Sequence, residues 1–135
     1  MKKHILIADD DYGLRLILRA LLDSKGYEVR CVSGGEAALD AYANARAAKW
    51  PYELIVTDLG MPYTNGFEVA AKIRGVGDSE TPILFMTASN EEIGLNERAA
   101  ELTPFQILYK PFELDEFVRR IECVLAQSET NCEPC

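Results

Sequence analysis

The feature that most constrains this chain is a repeated alternation. Five short apolar runs, at 4–8, 28–32, 53–57, 82–87 and 105–109, are each followed by a stretch with apolar residues at helical spacing. Strands that alternate with amphipathic helices predict an open parallel sheet covered on both faces. Five βα units in this order predict a flavodoxin-like, doubly wound α/β fold with strand order 2-1-3-4-5. At 135 residues the chain suits one such domain, with no internal repeat or interdomain linker.

Local signals set the boundaries. The first helix carries Leu14, Ile17, Leu18 and Leu21 on one face and stops at Gly26. Ser33-Gly34-Gly35-Glu36 has capping-box spacing and opens a helix over 36–49, which ends before Pro51. A Gly/Pro/Asn loop over 60–65 leads into a helix from Gly66 to about Arg74. Ser89-Asn90-Glu91-Glu92 repeats the capping-box spacing before a helix to about Leu102. The last helix shows Leu114, Phe117, Val118, Ile121, Val124 and Leu125 at helical spacing.

Composition excludes several classes. Fourteen basic against 22 acidic residues give a net charge of −8, which repels a phosphate backbone and argues against direct nucleic-acid binding. No apolar stretch approaches the ~20 residues of a membrane span, so no membrane insertion is expected. Met1-Lys2-Lys3 resembles the start of a secretion signal, but the apolar run after it ends at Asp9-Asp10-Asp11. A cytoplasmic setting is expected, with Cys31, Cys123, Cys132 and Cys135 as reduced thiols. Cys132 and Cys135 have the spacing of a metal pair but lack a second pair or a nearby histidine. His4, the one histidine, begins the first strand and suits a structural role.

Sheets of this kind place their working residues at the carboxyl ends of the strands. Strand one ends in Asp9-Asp10-Asp11, strand three delivers Asp58, strand four ends in Thr87, and Lys110 follows strand five. Each residue alone has an ordinary reading. Asp11 suits a helix N-cap, Asp58 a surface carboxylate, Thr87 a strand-end hydroxyl and Lys110 a solvated lysine. Together, several carboxylates converging with one ammonium call for a cation. A hard ion such as Mg²⁺ suits oxygen ligands of this type, and Asp58 could then serve as a nucleophile toward phosphorus.

Three other phosphate-handling folds fit less well. A flavin mononucleotide site wants a hydroxyl- and glycine-rich loop after strand one, where this chain has three aspartates. A haloacid-dehalogenase-type phosphatase wants a second Asp two residues after the nucleophile, where this chain has Gly60. A P-loop needs Gly-Lys-Ser/Thr, and Gly75-Val76-Gly77-Asp78 has no such lysine.

Ile5-Leu6-Ile7-Ala8-Asp9-Asp10, Asp58-Leu59-Gly60-Met61-Pro62 with Gly66, Thr87-Ala88 and Lys110-Pro111-Phe112 together resemble the receiver domain of two-component response regulators. The resemblance runs from about residue 3 to 127. It implies a receiver domain over 1–127 and a short polar tail over 128–135. It further implies that Asp58 accepts a phosphoryl group from a histidine kinase or a histidine phosphotransfer protein. Asp10, Asp58 and the Gly60 main-chain carbonyl would ligate Mg²⁺, with Asp9 acting through water. Lys110, the Thr87 hydroxyl and the Ala88 amide would bind the phosphoryl oxygens, and Lys110-Pro111 would be a cis peptide. Gly60 and Ser89 would flank the path of the hydrolytic water without covering it.

Ile107 stands where the family usually has a Tyr or Phe that swings inward, so no aromatic swing is expected there. Ala100 to Pro104 lacks the family's usual small-residue turn before strand five. The resemblance implies a phosphoacceptor signalling protein that catalyses only its own phosphorylation and dephosphorylation. The expectation is a stand-alone receiver that passes its message to a protein target in trans, with a dimer that forms on phosphorylation. The alternative is a relay intermediate that hands its phosphoryl group to a phosphotransfer protein.

Overall fold

The computed structural model of the chain describes residues 2–88 and 101–130, with side chains through Gln127. Five parallel strands lie in the order β2-β1-β3-β4-β5. They are β1 (His4–Ala8), β2 (Glu28–Val32), β3 (Leu54–Asp58), β4 (Ile83–Thr87) and β5 (Phe105–Tyr109). Four helices are described: α1 (Tyr12–Ser24), α2 (Gly35–Ala47), α3 (Gly66–Gly75) and α4 (Leu114–Thr130). The expected doubly wound fold is the one observed.

The three central strands are apolar along their length because both faces are covered. On one face Ile5, Ile7, Val56, Leu84 and Met86 pack with Leu18 and Leu22 of α1 and with Phe117, Ile121, Val124 and Leu125 of α4. On the other, Leu6, Ile55, Ile83 and Phe85 pack with Ala38, Tyr42 and Ala45 of α2 and with Val69, Ala70 and Ile73 of α3. Burying a side chain of this size contributes about 1.5–3 kcal/mol, so these two layers dominate stability.

Several expectations change in detail. The α1 face is rotated: Leu18 and Leu22 are buried, whereas Ile17 is 51% exposed. Leu114, expected in the α4 stripe, is 43% exposed. It stands with Leu14, Ile17 and Phe112 at the lip of a cavity of about 480 Å³ beside Lys110 and Pro111. The capping box at Ser33 does not form. Gly34 caps α2 with no side-chain bond, and Gly35 sits so close to Thr64 that a Cβ would meet its backbone oxygen at 2.4 Å. The helix starts at Gly35, one residue before the expected position. A capping box does form at α3, where Asn65 and Glu68 bond each other's backbone N–H.

Cys31 is a free thiol, but Cys123 is disulfide-bonded, which corrects the expectation of a reduced thiol there. Cys132 and Cys135, and the expected capping box and helix over 89–100, lie outside the described residues. Among the described residues no helix is long and apolar enough to cross a membrane.

Candidate functional site

The carboxyl ends of β1, β3, β4 and β5 bring Asp9, Asp58, Thr87 and Lys110 to one end of the sheet. Thr87 and Asp58 are the last residues of their strands, and Asp58 pairs in register with Met86 of β4. Strand β3 thus runs one residue further than the sequence pattern indicates. Asp9 is 0% exposed, Asp58 8% and Thr87 4%. Buried carboxylates are rare unless paired.

Lys110 supplies the pairing. Its Nζ donates to Asp9 Oδ2 at 3.0 Å and to Asp58 Oδ2 at 3.2 Å. The other oxygens are held by main chain: Asp11 N–H donates to Asp9 Oδ1 at 2.8 Å and Gly60 N–H to Asp58 Oδ1 at 3.0 Å. The strand register aims the lysine, since Lys110 N–H bonds the Thr87 carbonyl at 2.7 Å. Lys110-Pro111 is a cis peptide as expected, and Thr103-Pro104 is a second one.

Electrostatics follow from burial and count. Burial pushes the Asp9 carboxyl up, partly offset by its bonds to Asp11 and Lys110, and the charge of Asp58 adds to the rise. Burial pulls the Lys110 ammonium down, but the hydrogen bond to Asp9 and the charges of Asp58 and Asp9 outweigh it and raise it. Asp10 is exposed, and its carboxylate has no hydrogen bond or ion pair among the described residues. Carboxylate oxygens of Asp9, Asp10 and Asp58 lie within 4.8 Å of one another. Three hard oxygen donors facing one ammonium suit a hard divalent cation.

The loop after β3 begins beside the Asp58 carboxylate. A Cβ on Gly60 would sit 3.7 Å from Asp58 Oδ1, an ordinary van der Waals contact, so the glycine places no side chain over that carboxylate oxygen. Ile107 is half-buried against the α2/α3 layer, and Tyr109, opposite Thr87 in register, is 47% exposed. Ser89 lies outside the described residues. One residue of the site escaped the sequence reading: Arg15, whose Nη1 donates to the Asp9 carbonyl at 2.7 Å. Nothing in the apolar spacing of α1 singles it out.

Comparison with known proteins agrees with this geometry. Residues 5–122 match the response regulator receiver domain family. The chain is 33% identical over 132 residues to the uncharacterized transcriptional regulatory protein YkoG of Bacillus subtilis, covering 98% of this chain and 55% of that one. It is 33% identical over 124 residues to the transcriptional regulatory protein RprY of Bacteroides fragilis, covering 92% and 50%. The chemotaxis protein CheY4 of Vibrio cholerae superposes with a TM-score of 0.78 at 28% identity, covering 92% and 99%.

The chain spans about half the length of the curated relatives it matches. This overturns the expected partner set, a target reached only in trans with no link to nucleic acid. In YkoG and RprY the matching stretch is joined to further sequence of similar length, within proteins named transcriptional regulators. A net charge of −8 describes this stretch alone and cannot exclude nucleic acid for whatever a receiver is joined to. With the match spanning nearly all of the sheet and every strand end of the acidic pocket, the chain belongs to the response regulator receiver domain family.

Proposed function

We propose that Asp58 is a phosphoacceptor that takes a phosphoryl group from the phosphohistidine of a histidine kinase or phosphotransfer protein, with Mg²⁺ bound at Asp9, Asp10, Asp58 and the Gly60 carbonyl. The observation that carries this reading is Lys110 Nζ held between Asp9 and Asp58 while the Asp10 carboxylate is left unbonded. When bound, Mg²⁺ would neutralise charge on the pocket and on the incoming phosphoryl oxygens.

The chain's own residues do the rest. An Asp58 carboxylate oxygen attacks phosphorus, the P–N bond to the donor imidazole breaks, and its electron pair stays on the imidazole nitrogen. Lys110 leaves part of its interaction with Asp58 for a phosphoryl oxygen. Thr87, buried at the end of β4, and the Ala88 N–H take others. Phosphoryl transfer needs positioning and charge neutralisation more than covalent help, and these residues supply both. Movement of Thr87 toward the phosphoryl group then alters the β4 end of the sheet and carries the signal without an aromatic swing at Ile107.

The test is incubation with acetyl phosphate and Mg²⁺, read by intact mass. One phosphoryl group should be added to wild type and none to Asp58→Asn. Equal labelling of Asp58→Asn, or of wild type in excess chelator, rules the assignment out.

A further inference from the structure

Asp9, the residue that passes the chain from β1 into the acidic turn, is wholly buried, and its carbonyl lies past the end of the strand. A buried carbonyl without a donor costs about 1–3 kcal/mol, so the source of its hydrogen bond matters. Arg15 supplies it through Nη1 at 2.7 Å. The same residue's main-chain N–H donates to the Asp11 carbonyl at 3.0 Å. The second bond is the ordinary first turn of α1, so it is the guanidinium alone that holds the turn just before Asp10.

An arginine beside a run of aspartates ordinarily forms a bidentate carboxylate pair. Arg15 forms no ion pair among the described residues. Its guanidinium instead lies over the Tyr12 ring, with Cζ 5.5 Å from the centroid. The ring and the carbonyl are the contacts its cation makes instead. Peptide planarity explains the consequence. The Asp9 carbonyl and the Asp10 N–H share one rigid plane, so fixing the carbonyl restricts the direction in which Asp10 leaves it.

We propose that Arg15 is a positioning residue of the pocket, which fixes the Asp9–Asp10 peptide so that the Asp10 carboxylate faces Asp58 and stays open to a cation. This rests on the reading of the pocket as a Mg²⁺ and phosphoryl site. Arg15 is distinct from the groups that touch the phosphoryl group. Its charge and its grip act in opposite directions on cation binding, since a nearby positive charge repels Mg²⁺ whereas an ordered ligand attracts it. The sign of the effect therefore separates the two roles.

The experiment is a Mg²⁺ titration of the chain by calorimetry for wild type, Arg15→Ala and Arg15→Lys, with the Asp9 carbonyl carbon shift recorded by NMR without metal. Arg15→Ala should bind Mg²⁺ about tenfold more weakly although it removes a positive charge, the size of loss typical for a group that orients a metal ligand. Its Asp9 carbonyl resonance should move upfield, as for a lost hydrogen bond. Arg15→Lys, which can still reach one carbonyl, should restore most of both. Should Arg15→Ala fail to fold, Arg15→Gln is read in its place by the same criteria. A wild type that binds no Mg²⁺ overturns the functional reading and this proposal with it. A wild type that binds Mg²⁺ beside a variant of equal or tighter affinity overturns the role of Arg15 alone.

Discussion

Asp78 shows how one residue can organise the end of the sheet away from the acidic pocket. It accepts hydrogen bonds from Thr81 Oγ1 at 2.6 Å, Tyr42 Oη at 2.7 Å, and the N–H groups of Thr81 and Glu80 at 3.0 and 3.1 Å. Burial alone would raise its carboxyl, but these bonds outweigh burial and hold it at about 2. Burial and the Asp78 carboxylate push Tyr42 up to about 12. A carboxyl depressed in the fold contributes stability above its unfolded value near 3.8 and loses it as pH falls through about 2. Asp78→Asn should therefore unfold in urea about 1–2 kcal/mol more easily than wild type at pH 7, a figure discounted for partial exposure. The gap should close between pH 4 and pH 2. A gap that stays constant over that range would mean that bond geometry, not charge, is what Asp78 contributes.

At the scale of elements, the contact between α3 and the end of β3 sets the position of Asp58. A Cβ on Gly66 would meet the Asp58 carbonyl oxygen at 2.7 Å and Leu59 Cα at 3.1 Å, both main chain that cannot turn aside. Gly66→Ala should cost about 1–3 kcal/mol in urea denaturation and slow acetyl phosphate labelling of Asp58, because the strand end must shift. Gly75→Ala, at the far end of the same helix with open space around it, should leave both unchanged within about 1 kcal/mol. Equal behaviour of the two variants would show that the close approach does not set the site.

The strands were legible in sequence because short runs alternate with helical stretches, continuously apolar where both faces are buried in β1, β3 and β4 and mixed in the edge strands β2 and β5. The bounds of β1, β2 and β5 are the expected ones, and β3 and β4 differ by a residue. The strand-end residues were legible for the same reason, since topology alone brings them together. Arg15, Gly35 and the Asp78 cluster were not. Each depends on a side-chain reach back into a turn, or on an approach between separate segments, which spacing along one element does not encode. Gly35 illustrates the point: the capping pattern at Ser33 does not form, and the close approach of Gly35 to Thr64 has no counterpart in local spacing.

Across the whole molecule, the acidic pocket opposes the fold that builds it. A net charge of −8 already favours expansion, and the pocket sets three carboxylates against one ammonium. Asp9 registers the cost, its carboxyl raised first by burial and further by the charge of Asp58. A carboxyl raised in the fold makes the ionised state destabilising, so stability falls as pH rises through its folded value. A cation joining the pocket relieves the same cost at neutral pH. Asp10 is the residue to remove, because its carboxylate makes no bond among the described residues that would be lost with it. Without Mg²⁺, Asp10→Asn should gain about 1 kcal/mol, or about 4 °C in Tm for a chain of this size. With Mg²⁺ at about 100 times its dissociation constant, wild type should gain about 2.7 kcal/mol by linkage. The variant, short of one ligand, should gain far less. The two melting temperatures plotted against Mg²⁺ concentration should then cross, with the variant ahead in chelator and wild type ahead in excess metal. A variant that melts below wild type in chelator would mean that Asp10 holds the fold through bonds of its own. A variant that rises with Mg²⁺ as steeply as wild type would remove Asp10 from the ligand set.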